Sequence, residues 1–236
     1  MKTSSKPLTI LITFLAILII PRLSGQLATI FFDPDEVYLW ISVHHVWQLI
    51  LTIALMLIFN RHLGHWGFNL DNRETSLRFL KLFVLYATGY FVIQDLVLYF
   101  TSSPVWIDFP LTLENVLGYL GFQLFLSGTC EEPLFRGFVM MMLYPAFAGS
   151  FNIKNIEIPH AGLIAAVFFT LAHIGFSIWP FEITRIHPPQ LVLSFVMGIF
   201  YAIMFHRTRS LLAPILAHNY INVLLVGLNM LWAVLG

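Results

Sequence analysis

Apolar residues occupy most of the chain in blocks long enough for membrane-crossing helices. Stretches 37–60, 158–181, 186–206 and 210–236 contain no Lys, Arg, Asp or Glu, and 82–107 contains only Asp95. A bilayer core of about 30 Å takes roughly 20 mostly apolar residues per helix, so each block predicts one span. Residues 8–32 carry Pro21-Arg22 near their middle and predict either one kinked span or a short helix with an interfacial segment. Residues 111–148 are apolar apart from Glu114 and the cluster Glu131, Glu132 and Arg136. That stretch is too long for one straight span, and Pro133 lacks the amide donor a helix interior needs. The pattern therefore predicts two helices, 113–129 and 133–148, meeting at the charged cluster. The resulting fold class is all-α, a polytopic transmembrane helical bundle of seven or eight spans in a single integral membrane domain covering 1–236.

Composition sharpens this picture. Charged residues make up 10% of the 236 residues and hydrophobic residues 58%, against about 25% charged in a soluble domain. The twelve basic and twelve acidic side chains balance to zero with no basic block, so nucleic-acid binding has no electrostatic basis. One cysteine cannot close an intrachain disulfide. Lys2 and Lys6 ahead of the apolar run 8–20 resemble a signal-peptide start, but no small-x-small cleavage site follows, which predicts an uncleaved first span. Basic residues cluster at 2–6, 61–81 and 206–209, whereas 33–36 and 108–114 are acidic. The positive-inside rule then places the amino terminus and the 60–81 loop in the cytoplasm. Residues 206–209 join them if 111–148 crosses once and lie opposite if it crosses twice. Trp40, Trp47, Trp66, Trp106 and Trp179 stand near expected span ends, as interfacial anchors do.

Against this background the segment Gly128-Thr129-Cys130-Glu131-Glu132-Pro133-Leu134-Phe135-Arg136-Gly137 is unusual. Ionisable groups at bilayer depth are costly and face the bundle interior. On a helix Glu132 and Arg136 form an i, i+4 pair in the favoured Glu-first order. Glu131 is turned about 100° away and cannot share that pairing equally well. One carboxylate can thus be neutralised structurally while the other is left for chemistry; the alternative is a buried ion pair that only fixes packing. His173 stands alone in an apolar helix on the same face as Phe169, a catalyst or a satisfied packing residue. His218 and Asn222 are again four apart, an interhelical hydrogen-bonding pair or the donors of an oxyanion hole.

Glu131-Glu132-x-x-x-Arg136, Phe169-x-x-x-His173 and His218-x-x-x-Asn222 resemble, in order and spacing, the three motifs of the CAAX protease and bacteriocin-processing family, which includes the type II CAAX prenyl proteases. Gly137 after the arginine also fits, Pro133 is an unusual residue at its place, and the resemblance covers roughly residues 80–236. It implies an intramembrane glutamic endopeptidase with no cofactor and no catalytic metal. Glu131 would be the general base on a water, helped by His173; His218 and Asn222 would stabilise the oxyanion; Glu132 and Arg136 would hold the first helix. The adjacent glutamates could exchange roles. The implied partner is a membrane-associated protein or peptide, lipidated or not, and CAAX-type and bacteriocin- or pheromone-type processing are equally compatible. The implied location is a bilayer, that of a bacterial plasma membrane.

Rival readings rest on the same residues. Cys130 could be a nucleophile with His173, and Glu131, His173 and His218 could form a two-His, one-carboxylate zinc site. Asp95 reads as a helix–helix hydrogen bond or a partner for Arg78 or Lys81. Histidines 44, 45, 62, 65, 160, 187 and 206 fall mostly near span ends and carry no assigned role. A protein that kept the motif residues only as a packing network would act by binding, as an immunity factor or regulator.

Overall fold

The computed structural model describes residues 5–101, 107–154, 156–177 and 179–235; Lys2 and Trp106 lie outside them. Seven helical elements run in order: α1 (Lys6–Thr29), α2 (Leu39–Phe59), α3 (Arg73–Thr101), α4 (113–143), α5 (His160–Ala172), α6 (Pro188–Thr208) and α7 (Leu212–Leu235). A 3-10 turn, Leu63–Trp66, joins α2 to α3. Two antiparallel hairpins complete the described residues: β1 (Ser150–Ile153) with β2 (Ile156–Pro159) before α5, and β3 (Gly175–Ser177) with β4 (Glu182–Arg185) after it.

The helices are apolar outward and small or polar inward. α1 buries Thr9, Thr13, Ala16, Ile17, Ile20, Ser24 and Ala28 while exposing Leu8, Leu11, Leu15 and Ile19. α2 buries His45, Gln48, Thr52 and Met56 and exposes Ile50, Leu57 and Ile58. In lipid, large aliphatic side chains gain nothing by turning inward, so helices associate through small residues and interhelical hydrogen bonds. Thr13, Ser24 and Thr208 return their hydroxyls to carbonyls one turn back. α1, α2, α3, α6 and α7 are long and apolar enough to cross a membrane.

Several expected elements take another form. Residues 113–143 follow one helical path rather than two helices broken at Pro133. Pro133 is accommodated because the helix widens to π-helical pitch over Gln123–Ser127 and again over Pro133–Met140; i→i+5 bonding relieves the crowding a proline causes in an α-turn. α1 runs through Pro21 as one helix. α3 begins at Arg73, so Arg78 and Lys81 belong to its first turns. Asp95 lies about 21 Å further along, at 1.5 Å per residue, beside Trp232 of α7 and beyond reach of either basic residue. The stretch 158–181 is helical only over His160–Ala172, and the chain continues from there as the β3–β4 hairpin.

The single path of α4 also fixes which end carries residues 206–209. Asn69 Nδ2 donates to the Arg209 carbonyl at 2.9 Å, Asn72 Nδ2 to the Thr208 carbonyl at 2.8 Å, and Ser210 Oγ to the Asn69 carbonyl at 2.7 Å. The α6–α7 turn is thereby tied to the loop after α2, and both sets of basic residues sit at one end of the bundle. The core lies above this lock. Phe135, Phe138, Val139 and Met140 of α4 pack with Ala161, Ala165 and Phe169 of α5 and with Ala202 and Phe205 of α6. α5 and α6 approach so closely that a Cβ on Gly162 would stand 2.9 Å from the Ala202 Cβ.

Candidate functional site

Glu131 and Glu132 lie in a short α-helical segment of α4, Gly128–Glu132, set between the two wide segments. Isolated π turns inside α-helices recur at functional sites because they re-aim side chains. Here they hold the glutamates at the centre of the bundle, facing α2 on one side and α7 on the other. A Cβ on Gly128 would lie 2.7 Å from the His218 Cβ and 2.8 Å from Asn219 Oδ1, so the absence of a side chain lets α7 reach this turn.

Glu132 is fully buried and bound twice through one oxygen. Oε1 accepts from Arg136 Nη1 at 2.9 Å and from His218 Nδ1 at 2.7 Å. Arg136, also fully buried, donates from Nη2 to the Gly198 carbonyl at 3.1 Å. Its guanidinium sits over the Phe169 and Tyr201 rings at 4.6 and 5.2 Å, an aromatic shelf that suits a planar, weakly hydrated cation. Tyr201 stacks on His218 with ring centroids 5.2 Å apart and 15° between planes. The i, i+4 pairing read from the sequence is thus present and extends to a third member on α7. Among the described residues, Glu132 Oε2 and Arg136 Nε have no hydrogen-bond partner.

Glu131 has different surroundings. Its Oε1 is 3.0 Å from His45 Nε2, and its Oε2 is 3.9 Å from His218 Nε2. The side chain keeps 18% of its surface accessible, against 0% for Glu132. His45 Nδ1 lies 2.9 Å from the Ile41 carbonyl. A carbonyl only accepts, so that nitrogen carries a proton, and the contact at Nε2 then requires a second proton shared with the carboxylate. His218 directs its Nδ1 proton to Glu132, leaving Nε2 as the nitrogen that faces Glu131.

His173 caps α5 and donates from Nδ1 to the Phe169 carbonyl at 2.8 Å. Its ring meets Phe169 edge-on at 4.7 Å, Phe169 meets His218 in turn at 5.7 Å, and His173 interacts electrostatically with the Glu131 carboxylate. Glu131, Glu132, Arg136, His173 and His218 therefore share one cluster. Asn222 stands one turn further along α7: its Nδ2 donates to Ser127 Oγ at 2.8 Å, while His218 engages the glutamates. Cys130 is buried beside Glu131. Among the described residues no three His, Cys, Asp or Glu side chains converge to hold a metal ion.

Two residues to which the sequence reading assigned no role complete the site. Asn219 accepts the Gly128 N–H and donates to Thr129 Oγ1. His45 comes from α2, far along the chain from the three motifs. Its signal was a polar stripe, His45, Gln48 and Thr52, recurring at helical spacing in an otherwise apolar segment. Residues 113–224 match the sequence model of a family described as type II CAAX prenyl endopeptidase Rce1-like. No curated protein and no solved structure matches the chain.

Proposed function

The chain belongs, through residues 113–224, to the Rce1-like type II CAAX prenyl endopeptidase family, and on that premise we propose that it hydrolyses a peptide bond of a membrane-associated substrate with water activated by Glu131. The observation that carries this reading is the asymmetry of the two glutamates. Glu132 is fully buried, with its engaged oxygen taken up by Arg136 and His218, whereas Glu131 keeps accessible surface and its Oε2 lies outside hydrogen-bonding distance of His218. A general base needs an oxygen within hydrogen-bond reach of the water it deprotonates.

In the proposed step Glu131 Oε2 takes a proton from water as the water oxygen bonds to the scissile carbonyl carbon and the carbonyl π pair moves onto oxygen. The C–N bond then breaks as that pair returns, and Glu131 gives its proton to the leaving nitrogen. His173 and His218 flank the water through their Nε2 atoms. Asn222 retains one amide proton beyond the one given to Ser127 and is the donor we assign to the oxyanion, a type of interaction worth about 10²–10³ in kcat. His218 joins it as a donor when both ring nitrogens are protonated. Arg136 and Glu132 hold the turn that aims Glu131.

The substrate we propose is a CAAX-type carboxyl-terminal peptide carrying a lipid, reaching the site through the bundle from the bilayer. The test compares new protein termini in membranes containing the wild type or Glu131→Gln at matched, verified expression. Termini that require the glutamate carboxyl name the substrate; identical sets of termini with both proteins overturn the hydrolytic reading.

A further inference from the structure

We propose that His45, which lies outside the segment matching the family, is a positioning residue of the hydrolytic centre: it holds the proton that balances Glu131 and fixes Oε1 so that Oε2 faces the water. The proposal rests on the reading of Glu131 as the base.

The argument begins with a count of charges. Two carboxylates, Glu131 and Glu132, and one guanidinium, Arg136, sit in the centre of the bundle. Arg136 is committed to Glu132 at 2.9 Å, so these three groups by themselves are one positive charge short of neutral. A residual charge at membrane depth is costly. The geometry shows where the balancing proton sits. His45 donates one ring proton to the Ile41 carbonyl, and a bare Nε2 facing an ionised Oε1 at 3.0 Å would set two lone pairs against each other. A proton between those two atoms removes the repulsion and completes the charge balance at once. The groups facing His45 are Glu131, the His44 ring at 5.1 Å and the Phe122 ring, which meets it edge-on at 4.8 Å. Of these, the Glu131 carboxylate is the acceptor at hydrogen-bond distance from Nε2.

His45 is held on three sides: its own α2 backbone at Ile41, the Phe122 edge on α4, and Glu131 itself. A side chain fixed in this way orients the carboxylate as well as neutralising it. During turnover His45 keeps its proton while Oε2 exchanges one with water and the leaving nitrogen, so the balance of the step is unchanged. The first half of the chain thereby contributes a side chain to a centre whose other members all come from residues 131–222.

The test uses the full chain in lipid nanodiscs and two readouts. His45→Phe keeps the ring volume and the contact with Phe122 but offers no proton. Its carboxyl infrared difference spectrum against wild type should gain the band of a protonated carboxyl, and the band should vanish in His45→Phe/Glu131→Gln. With a farnesylated CAAX peptide as probe, kcat should fall ~10²-fold with KM within about twofold, the scale of loss for a mis-aimed catalytic group. His45→Ala supplies the second variant: added imidazole should return both its spectrum and its turnover toward wild type. A spectrum without the carboxyl band overturns the proposal, whether or not the probe is cut. Wild-type turnover by either variant overturns it as well. Cleavage of the probe by Glu131→Gln at the wild-type rate would instead overturn the reading of Glu131 as the base.

Discussion

Asn219 Oδ1 accepts the backbone N–H of Gly128 at 2.6 Å, where the first wide segment of α4 passes into the turn that carries the glutamates. The same side chain donates from Nδ2 to Thr129 Oγ1 at 3.1 Å. A side chain on α7 is thus bonded to the backbone and the Thr129 side chain of the turn that carries the glutamates, and holds His218 close to the carboxylates.

Asn219→Ala removes the bonds to the Gly128 amide and to Thr129 Oγ1, each worth about 0.5–1.5 kcal/mol. Gly128→Ala places a methyl group 2.7 Å from the His218 Cβ, and α7 must move. We expect thermal unfolding in detergent to show a modest loss for the first. Peptidase turnover should be abolished in the second even where a folded bundle persists.

Arg136 and Glu132 are both fully buried, so removing one partner strands the other. Arg136→Met should destabilise the protein by about 3–5 kcal/mol. Adding Glu132→Gln should recover most of that loss, because the uncompensated carboxylate is gone. Equilibrium unfolding of the single and double variants gives the comparison. Recovery of stability should not restore turnover, since His218 then faces an amide.

Asn222 and Ser127 separate two roles for one amide. If Asn222 serves the oxyanion, Asn222→Ala lowers kcat by about 10²–10³, while Ser127→Ala frees Nδ2 and leaves kcat near wild type. Equal losses in both variants would mark the 2.8 Å bond between them as structural. Steady-state turnover with verified folding distinguishes the two.

At the basic end, the Ser150 hydroxyl donates to Glu157 Oε1 at 2.9 Å and His206 Nε2 lies 3.4 Å from the same oxygen. The Ser150 hydrogen bond and, after it, the His206 charge hold the Glu157 carboxyl below its ordinary range, against the opposing effect of burial. A depressed carboxyl contributes stability above its unfolded pKa and loses it as pH falls through the folded one. Amide exchange across residues 150–159 should therefore be protected at neutral pH and accelerate only below the usual glutamate range. In Ser150→Ala the acceleration should begin at higher pH.

Much of this organisation was legible along the chain. The ion pair of Glu132 with Arg136 followed from helical spacing alone, and the apolar blocks located α1, α2, α6 and α7 to within a few residues. The path of α4 was not legible. A wide turn leaves no mark in composition, so the length of the apolar stretch was read as two helices meeting at the charged cluster. Pro133 reinforced that impression because its effect depends on the pitch of the turn that receives it. Nor was the shortness of α5 visible, since residues 173–181 after it carry no charge either. His45 was obscured by abundance: with nine histidines in the chain, only the tertiary fold shows which one meets a glutamate.

The wide turns also let α4 carry extra residues without changing the direction its ends face. Deleting one residue within Gln123–Ser127 would close that segment to ordinary pitch and leave Leu113–Phe122 facing as before, so Glu114 would keep the Tyr38 hydroxyl that donates to it at 3.2 Å. A deletion within Leu113–Phe122 itself meets no wide turn that could absorb it and would swing the residues before it by about 100° relative to the glutamates. Changes of length in this helix are therefore absorbed where the pitch is already wide and turn one end against the other where it is not.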